Sequence, residues 1–518
     1  MISLAAKTAS IKEPKRSSAL VRQETIASYL FLLPSLIFFL GFVIYPMILC
    51  VVTSFFDSTM NRADVFVGFA NYAELFADPI FIGALRNTFI IVVVSVPVTC
   101  AFSLWVSSAI VDLPEWATSL FRCVFYLPVV TGSVAVTVVW KWMYNNYYGI
   151  FNYLGKAVGL IDKNINWLGD DKYALGCFIL ILLTTSVGQP IVLYVSALGN
   201  VDQSIVEAAE VDGATDFQCF WRIKWPAIMP TTLYILVITT INSFQCFALI
   251  QLLTSGGPNH STDTIMYYIY YTAFKLYRYG YGNAMGGVLA VIIAILSAVQ
   301  FKFGSQDNYR RCRAMTATAK KQKPLKRHPS KLKKMSAYMI LTLILISIVA
   351  VLFAFPLYWI ITGSFKTGAA INSTTPEWWP SQWVLTNYQK LFAGKSAPLW
   401  QLAVPFSHSF SADGEPIYFS VGPTAPAALR WMINTVFMAV MSMILTCITA
   451  AMAGYALAKK RFVGRKLLFT LIVCAMALPK QVILIPLLRE MSALNLYNTI
   501  WAVIFPIAGS PFRVSLIK

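Results

Sequence analysis

Charge is what this chain has least of. Only 12% of its 518 residues are Asp, Glu, Lys or Arg, against 58% hydrophobic residues, and its mean hydropathy is +0.65. That is too little charge to clothe a soluble surface. Histidine is scarcer still: His260, His328 and His408 are the whole supply and lie far apart. No H-E-x-x-H pair and no paired carboxylates appear, so metal-assisted or acid–base catalysis has no visible site. The nine cysteines include no C-x-x-C pair, and all but Cys219 and Cys312 fall in apolar runs. They read as small core residues, not disulfides or metal ligands. G-x-x-x-x-G-K-[ST] is absent, which removes the usual phosphate-cradling loop. Any ATP-driven step would need another polypeptide. A signal peptide is also lacking, because the first apolar run is too long and has no clear cleavage site.

What the chain does have is a series of long apolar runs. They lie near 29–56, 86–111, 119–143, 174–198, 231–253 and 284–303, and again near 337–362, 431–458, 466–489 and 498–517. Each is long enough, at about 1.5 Å per residue, to cross a hydrocarbon core of about 30 Å. The expected fold is all-α: a polytopic helical membrane protein of about ten transmembrane helices, six in a first bundle and four in an incomplete second. The domains expected are a cytoplasmic N-terminal segment 1–28, a first bundle 29–303, a basic cytoplasmic linker 304–336 and a second block 337–518. The net charge of +19 is gathered in short stretches beside apolar runs, with no aromatic-interleaved groove. It points to membrane orientation, with no nucleic acid partner. Ser305 to Ser336 carries eleven Lys and Arg against Asp307 alone, so this side, with the N-terminus, is expected to be cytoplasmic.

One polar stretch is conspicuous in such a chain: Glu207 to Pro226, EAAEVDGATDFQCFWRIKWP. Alternation places it on the cytoplasmic side, between helices four and five. Asp202, Glu207, Glu210, Asp212 and Asp216 make it acidic, against Arg222 and Lys224. Ser204 and Glu207 have capping-box spacing, Ala208 and Ala209 keep the helix slim, and Gly213 marks its end.

The second block repeats features of the first. Pro46 and Ser54-Phe55 recur as Pro356 and Ser364-Phe365, and Asn71-Tyr72 recurs as Asn387-Tyr388. Asn87-Thr88 and Thr99-Cys100 recur as Asn434-Thr435 and Thr446-Cys447 at equal spacing. An ordered series of this kind implies a tandem of two related bundles facing the same way. The second copy adds an external segment, 363–430. Its Trp378, Trp379, Trp383 and Trp400 suit a membrane-interface belt or a docking surface for an outside partner.

The polar stretch resembles the cytoplasmic loop of permease subunits of binding-protein-dependent ABC importers: EAA, three residues, Gly, nine residues, then I-x-L-P. Here Glu207-Ala208-Ala209 leads to Gly213 and then to Ile223-Lys224-Trp225-Pro226, with Trp225 where Leu is usual. Thr254-Ser255-Gly256-Gly257-Pro258 and Gly280-Tyr281-Gly282-Asn283-Ala284-Met285 look like the maltose-type, carbohydrate-importing branch. The second block looks like the companion permease, through Tyr455-Ala456, Leu478-Pro479 to Pro486, Leu496-Tyr497-Asn498-Thr499 and Ser510-Pro511-Phe512.

The resemblance implies that segment 204–226 is a coupling helix seated on a separate ABC ATPase, which would hold ATP and Mg; no cofactor is expected in this chain. Glu207, Ala208, Ala209, Asp212, Gly213, Ile223 and Pro226 would form the coupling site. The other implied partners are a second permease subunit, an extracellular solute-binding protein, a sugar and membrane lipid, at the cytoplasmic membrane. Polar groups inside apolar runs are the candidates for the sugar path. Thr239, Asn242 and Ser243 lie on helix five, and Thr185, Ser186 and Gln189 on helix four. Uncharged groups suit a neutral sugar better than an anion, though they also serve as interhelical bonds. In the family the second block would continue to its own coupling loop, which this sequence does not reach before Lys518. An uncoupled, truncated remnant is therefore the alternative. An ion-coupled secondary transporter is another, but it would place Asp, Glu or His within the helices.

Overall fold

A computed structural model describes residues 18–59, 62–305, 337–403, 418–460, 462–476 and 483–509. Helix α1 (Ser18–Phe39) passes through a π turn (Leu40–Ile44) into α2 (Tyr45–Thr53). A ribbon of β1 (Phe56–Thr59) and β2 (Arg62–Phe66), then α3 (Ala70–Ala77), lead into α4 (Pro79–Ile110). Then come α5 (Glu115–Val130), α6 (Ser133–Met143), α7 (Ile150–Ala157), α8 (Asp171–Ser186) and α9 (Gly188–Gly199). The polar stretch holds α10 (Gln203–Val211), α11 (Asp216–Cys219) and a π turn (Phe220–Lys224) that runs into α12 (Trp225–Phe244). Helices α13 (Ala248–Leu253), α14 (Ile265–Phe274) and α15 (Tyr279–Ser305) follow. Beyond lie α16 (Ala337–Ser364), α17 (Gly368–Ile371), α18 (Thr386–Phe392), β3 (Ser396–Ala403), β4 (Tyr418–Pro426), α19 (Ala427–Lys459), α20 (Arg465–Met476), α21 (Leu484–Ala493) and α22 (Trp501–Ala508). Segments 1–17 and 306–336, the latter most of the basic linker, lie outside the described residues, as do Leu478-Pro479 and Ser510-Pro511-Phe512.

Among the described residues six helices are long and apolar enough to cross a membrane, and eight if each of two bent pairs is one span. The described residues alone do not give the total of ten. The run 119–143 is not one helix: Thr131 and Gly132 are extended, and α5 and α6 meet at 92°. Pro128 lies just ahead of the break. Helices α8 and α9 bend by 42° around Val187, where Gly188 packs so close to the Phe125 carbonyl that a Cβ would sit 2.7 Å from it. The run 231–253 breaks after Phe244, leaving α13 as a separate turn-and-a-half. Within 466–489 and 498–517 the described helices are 12, 10 and 8 residues long, and residues 477–482 and 510–517 of these runs lie outside the described residues. The class is helical, with the two short antiparallel ribbons as additions.

The chain forms two compact units that cut across its two sequence blocks. The larger holds residues 50–394 and 477–485, so it takes in α16 from the second block. Helix α4 is its axis: Ala84, Val92 and Val96 share an apolar cluster with Phe244, Ile265, Met266, Ile269 and Met285. Helix α16 packs Phe353 on Phe125 at 5.1 Å and stacks Trp359 on Trp142 at 4.0 Å. In the smaller unit, α1 buries Leu32 and Phe39 against Ala450, Ala453, Ala456 and Leu457 of α19. Alanine at those positions lets the helix backbones approach. Tyr29 donates its hydroxyl to the Val463 carbonyl at 2.9 Å. The ribbon β3–β4 occupies part of segment 363–430 and seats Trp400 on Phe437 at 5.4 Å. Trp378, Trp379 and Trp383, in the larger unit, are exposed.

Polar residues tie the ends of these helices. Asp78 caps α4: its carboxylate accepts the Ile80 N–H at 2.8 Å and the hydroxyls of Tyr268 and Tyr281 at 2.7 and 2.8 Å. Arg278 makes two 2.7 Å bonds to Glu74 and lies 4.6 Å over the Tyr281 ring. Nearby, Asn71 Nδ2 donates to the carbonyls of Ser54 and Phe56 at 2.8 and 2.9 Å, and the Tyr72 and Ser54 hydroxyls are 2.8 Å apart. The same knot occurs after α16. Asn387 Nδ2 donates to the carbonyls of Ser364 and Lys366, each at 3.0 Å, and Tyr388 donates to Ser364 Oγ at 2.8 Å.

Two outcomes follow from these ties. Asn71→Ala is expected to cost about 1–3 kcal/mol of stability because Asn71 is buried and its loss strands carbonyls. Asn387→Ala, at an exposed copy of the knot, should cost less in a detergent melting series. The second outcome concerns acid. The bond from Arg278 holds Glu74 below the usual carboxylate range. Burial pushes Asp78 up, but its bonds from Tyr268, Tyr281 and the backbone outweigh that and leave it lowered. Carboxylates lowered on folding contribute stability above their unfolded pKa and lose it as pH falls through the folded value. Melting temperature should therefore be insensitive to these groups at neutral pH and fall below about pH 4, and Asp78→Asn should shrink that acid limb.

Candidate functional site

The polar stretch folds as a self-capped knob. Asp202, not Ser204, caps α10: its carboxylate accepts the Ser204 N–H at 3.0 Å and the Ser204 hydroxyl at 2.7 Å. The expected Ser204–Glu207 capping box is not formed. A carboxylate two residues upstream is the stronger acceptor and suits the positive end of the helix, which frees Glu207 to stand exposed with Ala208. Helix α10 ends in a Schellman turn: Ala214 N–H bonds the Ala209 carbonyl at 2.9 Å and Gly213 N–H bonds that of Glu210 at 3.0 Å. Gly213 takes the left-handed conformation this turn requires, with φ +86°. Asp212 is the last residue before it and is exposed.

A capping box does exist one helix later, at Thr215-Asp216-Phe217-Gln218. The Gln218 N–H reaches Thr215 Oγ1 at 3.3 Å and the Thr215 N–H reaches Gln218 Oε1 at 3.0 Å. The T-x-x-Q spacing was the signal for it. Val206 and Cys219 anchor the knob inward, while Val211, Phe217 and Trp221 stand exposed, Val211 at 88%. The outer surface is therefore acidic and apolar at once. Ile223 lies in the π turn, and Pro226 follows it at the start of α12. Lys224 lies 3.9 Å from Asp112. From Asp216 to Phe244 the chain is helical without a break.

That helical run ends at a cavity of about 180 Å³ between α12, α8, α9 and α5. Thr185, Ser186 and Gln189 line it from one side, and Thr239 and Asn242 from the other, with Tyr234 and the apolar side chains of Ile235, Ile238, Leu193, Pro190 and Val129 completing the wall. The bend at Val187 and Gly188 is what places Gln189 alongside Thr185 and Ser186. No lining residue is ionisable except Tyr234. Thr185 donates its hydroxyl to the backbone of its own helix, to the Ile181 and Leu182 carbonyls at 3.1 Å. Ser243 is not in the lining: it faces α4, where its Oγ lies 3.2 Å from Ser95 Oγ. Tyr234 was not among the residues expected here. An aromatic amid aliphatic side chains carries no sequence signal that separates cavity wall from packing. Among the described residues no group of His, Cys, Asp and Glu could hold a metal.

Residues 81–309 match the family described as the binding-protein-dependent transport system inner membrane component. The chain is 33% identical over 287 residues to the probable ABC transporter permease protein YurN of Bacillus subtilis, across 55% of this chain and 98% of that one. The chain belongs to this family. It is also 32% identical to the lactose transport system permease protein LacF of Rhizobium radiobacter, over 55% of this chain and 96% of that protein. With the multiple sugar-binding transport system permease protein MsmF of Streptococcus mutans it shares 31% identity, over 53% and 94%. The protein is thus a multi-pass membrane permease component of an ABC transporter and not itself an enzyme; ATP hydrolysis occurs on a separate subunit.

The two caps of the knob can be tested apart from any transport assay. Asp202→Ala and Thr215→Ala should each cost about 1 kcal/mol of local helix stability, or about fivefold faster amide exchange across residues 203–219. Exchange in α4 and α15 should be unchanged.

Proposed function

We propose that the chain moves a neutral sugar or sugar-like solute across the cytoplasmic membrane, driven by a separate ABC ATPase that engages the knob 204–226. The observation that carries this reading is the unbroken helical run from Asp216 to Phe244. It starts in the knob and carries Thr239 and Asn242 at its far end. At about 1.5 Å per residue the two ends lie about 40 Å apart. A push on the knob is delivered to the cavity by a rigid rod. Its exposed carboxylates at Glu207, Asp212 and Asp216, together with Val211, Phe217 and Trp221, suit a socket with basic and apolar walls. Ala208 permits close approach, and Glu207 offers an acceptor. On this reading ATP and Mg belong to the ATPase, the knob and both termini of the first bundle are cytoplasmic, and an extracellular binding protein delivers the solute.

The solute class follows from the lining. Hydroxyl and amide groups at Thr185, Ser186, Gln189, Thr239 and Asn242 can each donate and accept, as sugar hydroxyls require. A phosphate or carboxylate would call for Arg or Lys, and neither lines the cavity. The sugar systems named for two relatives support the same class. Ser243 would act on this path through Ser95 and the helix pair, not by touching solute. We also read the second block as a related copy of the first, supported by the knots at Asn71 and Asn387, with a second permease subunit as a further partner.

Uptake of labelled neutral oligosaccharides by cells carrying the complete system tests the coupling. Gly213→Asp puts a side chain on a left-handed residue that has open space around it within this chain, so the protein should insert normally while uptake falls at least about tenfold. Normal uptake by a variant present at wild-type level in membranes would sink the coupling reading. Asn242→Leu should instead raise the apparent KM for the sugar and leave ATPase binding intact.

A further inference from the structure

The four helices that wall the cavity, α5, α8, α9 and α12, are almost free of charge. Glu115, Asp171 and Lys172 lie in the first turns of α5 and α8, and beyond them the only Asp, Glu, Lys or Arg on these helices is Arg122. It sits inside the apolar run 119–143, where an ionisable group is costly to keep. The helical phase of α5 shows which way it faces. Val129 lines the cavity, and the seven residues from Arg122 to Val129 turn an α-helix by about 700°, close to two full turns. Arg122 is therefore on the cavity face of α5, about 10 Å along the helix from Val129. Its neighbours agree. Phe121 and Val124 belong to the cluster that holds Ile346 and Ala350 of α16, whereas Tyr126 and Val129, one and two turns on from Arg122, lie against Gly188 at the start of α9. The displacement is toward the knob, because Asp112, just ahead of α5, lies 3.9 Å from Lys224.

The charge at this point is not neutralised. Arg122 is half-buried, its Nε is buried with no hydrogen-bond partner among the described residues, and none of the ion pairs among them involves it. Glu115, the nearest carboxylate along α5, is about 10 Å away along the helix. A guanidinium does not give up its proton, so a fixed positive charge stands between the knob and the cavity. The cavity itself poses the problem that such a charge answers. Hydroxyl and amide oxygens at Thr185, Ser186, Gln189, Thr239 and Asn242 suit a sugar, but they can equally replace the water around Na⁺ or K⁺. Nothing in the lining carries a charge that would turn those ions away.

We propose that Arg122 is the cation barrier of the solute path: its charge lets a neutral solute pass and repels inorganic cations that the polar cavity would otherwise accept. An arginine on a narrow path does this through its field and needs no bond to the solute. In a half-buried, poorly screened position that field is far stronger than in water. The proposal rests on the reading of this cavity as the path of a neutral solute.

The test uses the complete system in sealed vesicles and follows a labelled neutral oligosaccharide and radioactive Na⁺ together during ATP-driven turnover. Arg122→Gln removes the charge and keeps a polar side chain. Sugar uptake should stay within about twofold of wild type while Na⁺ entry rises at least about tenfold. Arg122→Lys should restore exclusion of Na⁺. Arg122→Met, which leaves no polar atom to bury, gives the same comparison if Arg122→Gln lowers the amount of inserted protein. Normal sugar uptake with unchanged Na⁺ entry would overturn the barrier and leave Arg122 as a side chain reaching for the membrane surface, with the proposed function intact. Equal leaks in the Gln and Lys variants would assign the effect to packing and overturn it too, as would loss of sugar uptake without a leak. No sugar uptake by the wild type would remove the path and the barrier together.

Discussion

Hydrocarbon offers a polypeptide backbone nothing to bond with, and the rest of this molecule follows from that deficit. Every long apolar stretch must bond to itself, so α4, α15, α16 and α19 are helices before any tertiary contact is considered. The cost then falls on the places where a helix starts, stops or turns. At the head of α4 an aspartate, a proline and two tyrosine hydroxyls settle the free end. After α2 and after α16 an asparagine closes the chain by capturing two carbonyls at once. These polar ties are few, and each carries an end that lipid could not.

The same deficit explains what could be read from the sequence. Long apolar runs announce helices, and α4, α15, α16 and α19 contain the runs 86–111, 284–303, 337–362 and 431–458, save at most the last residue, while starting up to seven residues earlier. What such runs do not encode is direction. Nothing in the hydropathy of 119–143 distinguishes a straight helix from α5 and α6 meeting at 92°; the information sat in Pro128 and Gly132, within an otherwise apolar background. The S-x-x-E spacing at Ser204 was real, but Asp202 competed for the same N–H and prevailed.

Around the cavity, polar residues stand out in apolar helices because burying them unpaired is costly. Five of the six expected side chains meet there, and the sixth shows the limit of the method. Ser243 has the same chemistry and nearly the same helical phase as Thr239, yet lies on the flank that meets α4. Only the packing partner decides which side of that line a hydroxyl falls on. The recurrence of Asn-Tyr and Asn-Thr pairs carried more structural content than its brevity suggested. The Asn-Tyr pair marks one hydrogen-bonded knot built twice, at Asn71 and at Asn387.

The run from Asp216 to Phe244 also fixes a phase. Because each residue in a helix advances the facing direction by about 100°, the knob and the cavity are locked in rotation as well as in distance. The π turn at Phe220–Lys224 already takes up one residue more than an α-helical turn would, so Thr239 and Asn242 face the cavity only in combination with it. The length of this segment is therefore not free to drift. An insertion or deletion of one residue would leave both ends well folded and still turn the polar face of α12 into its neighbours.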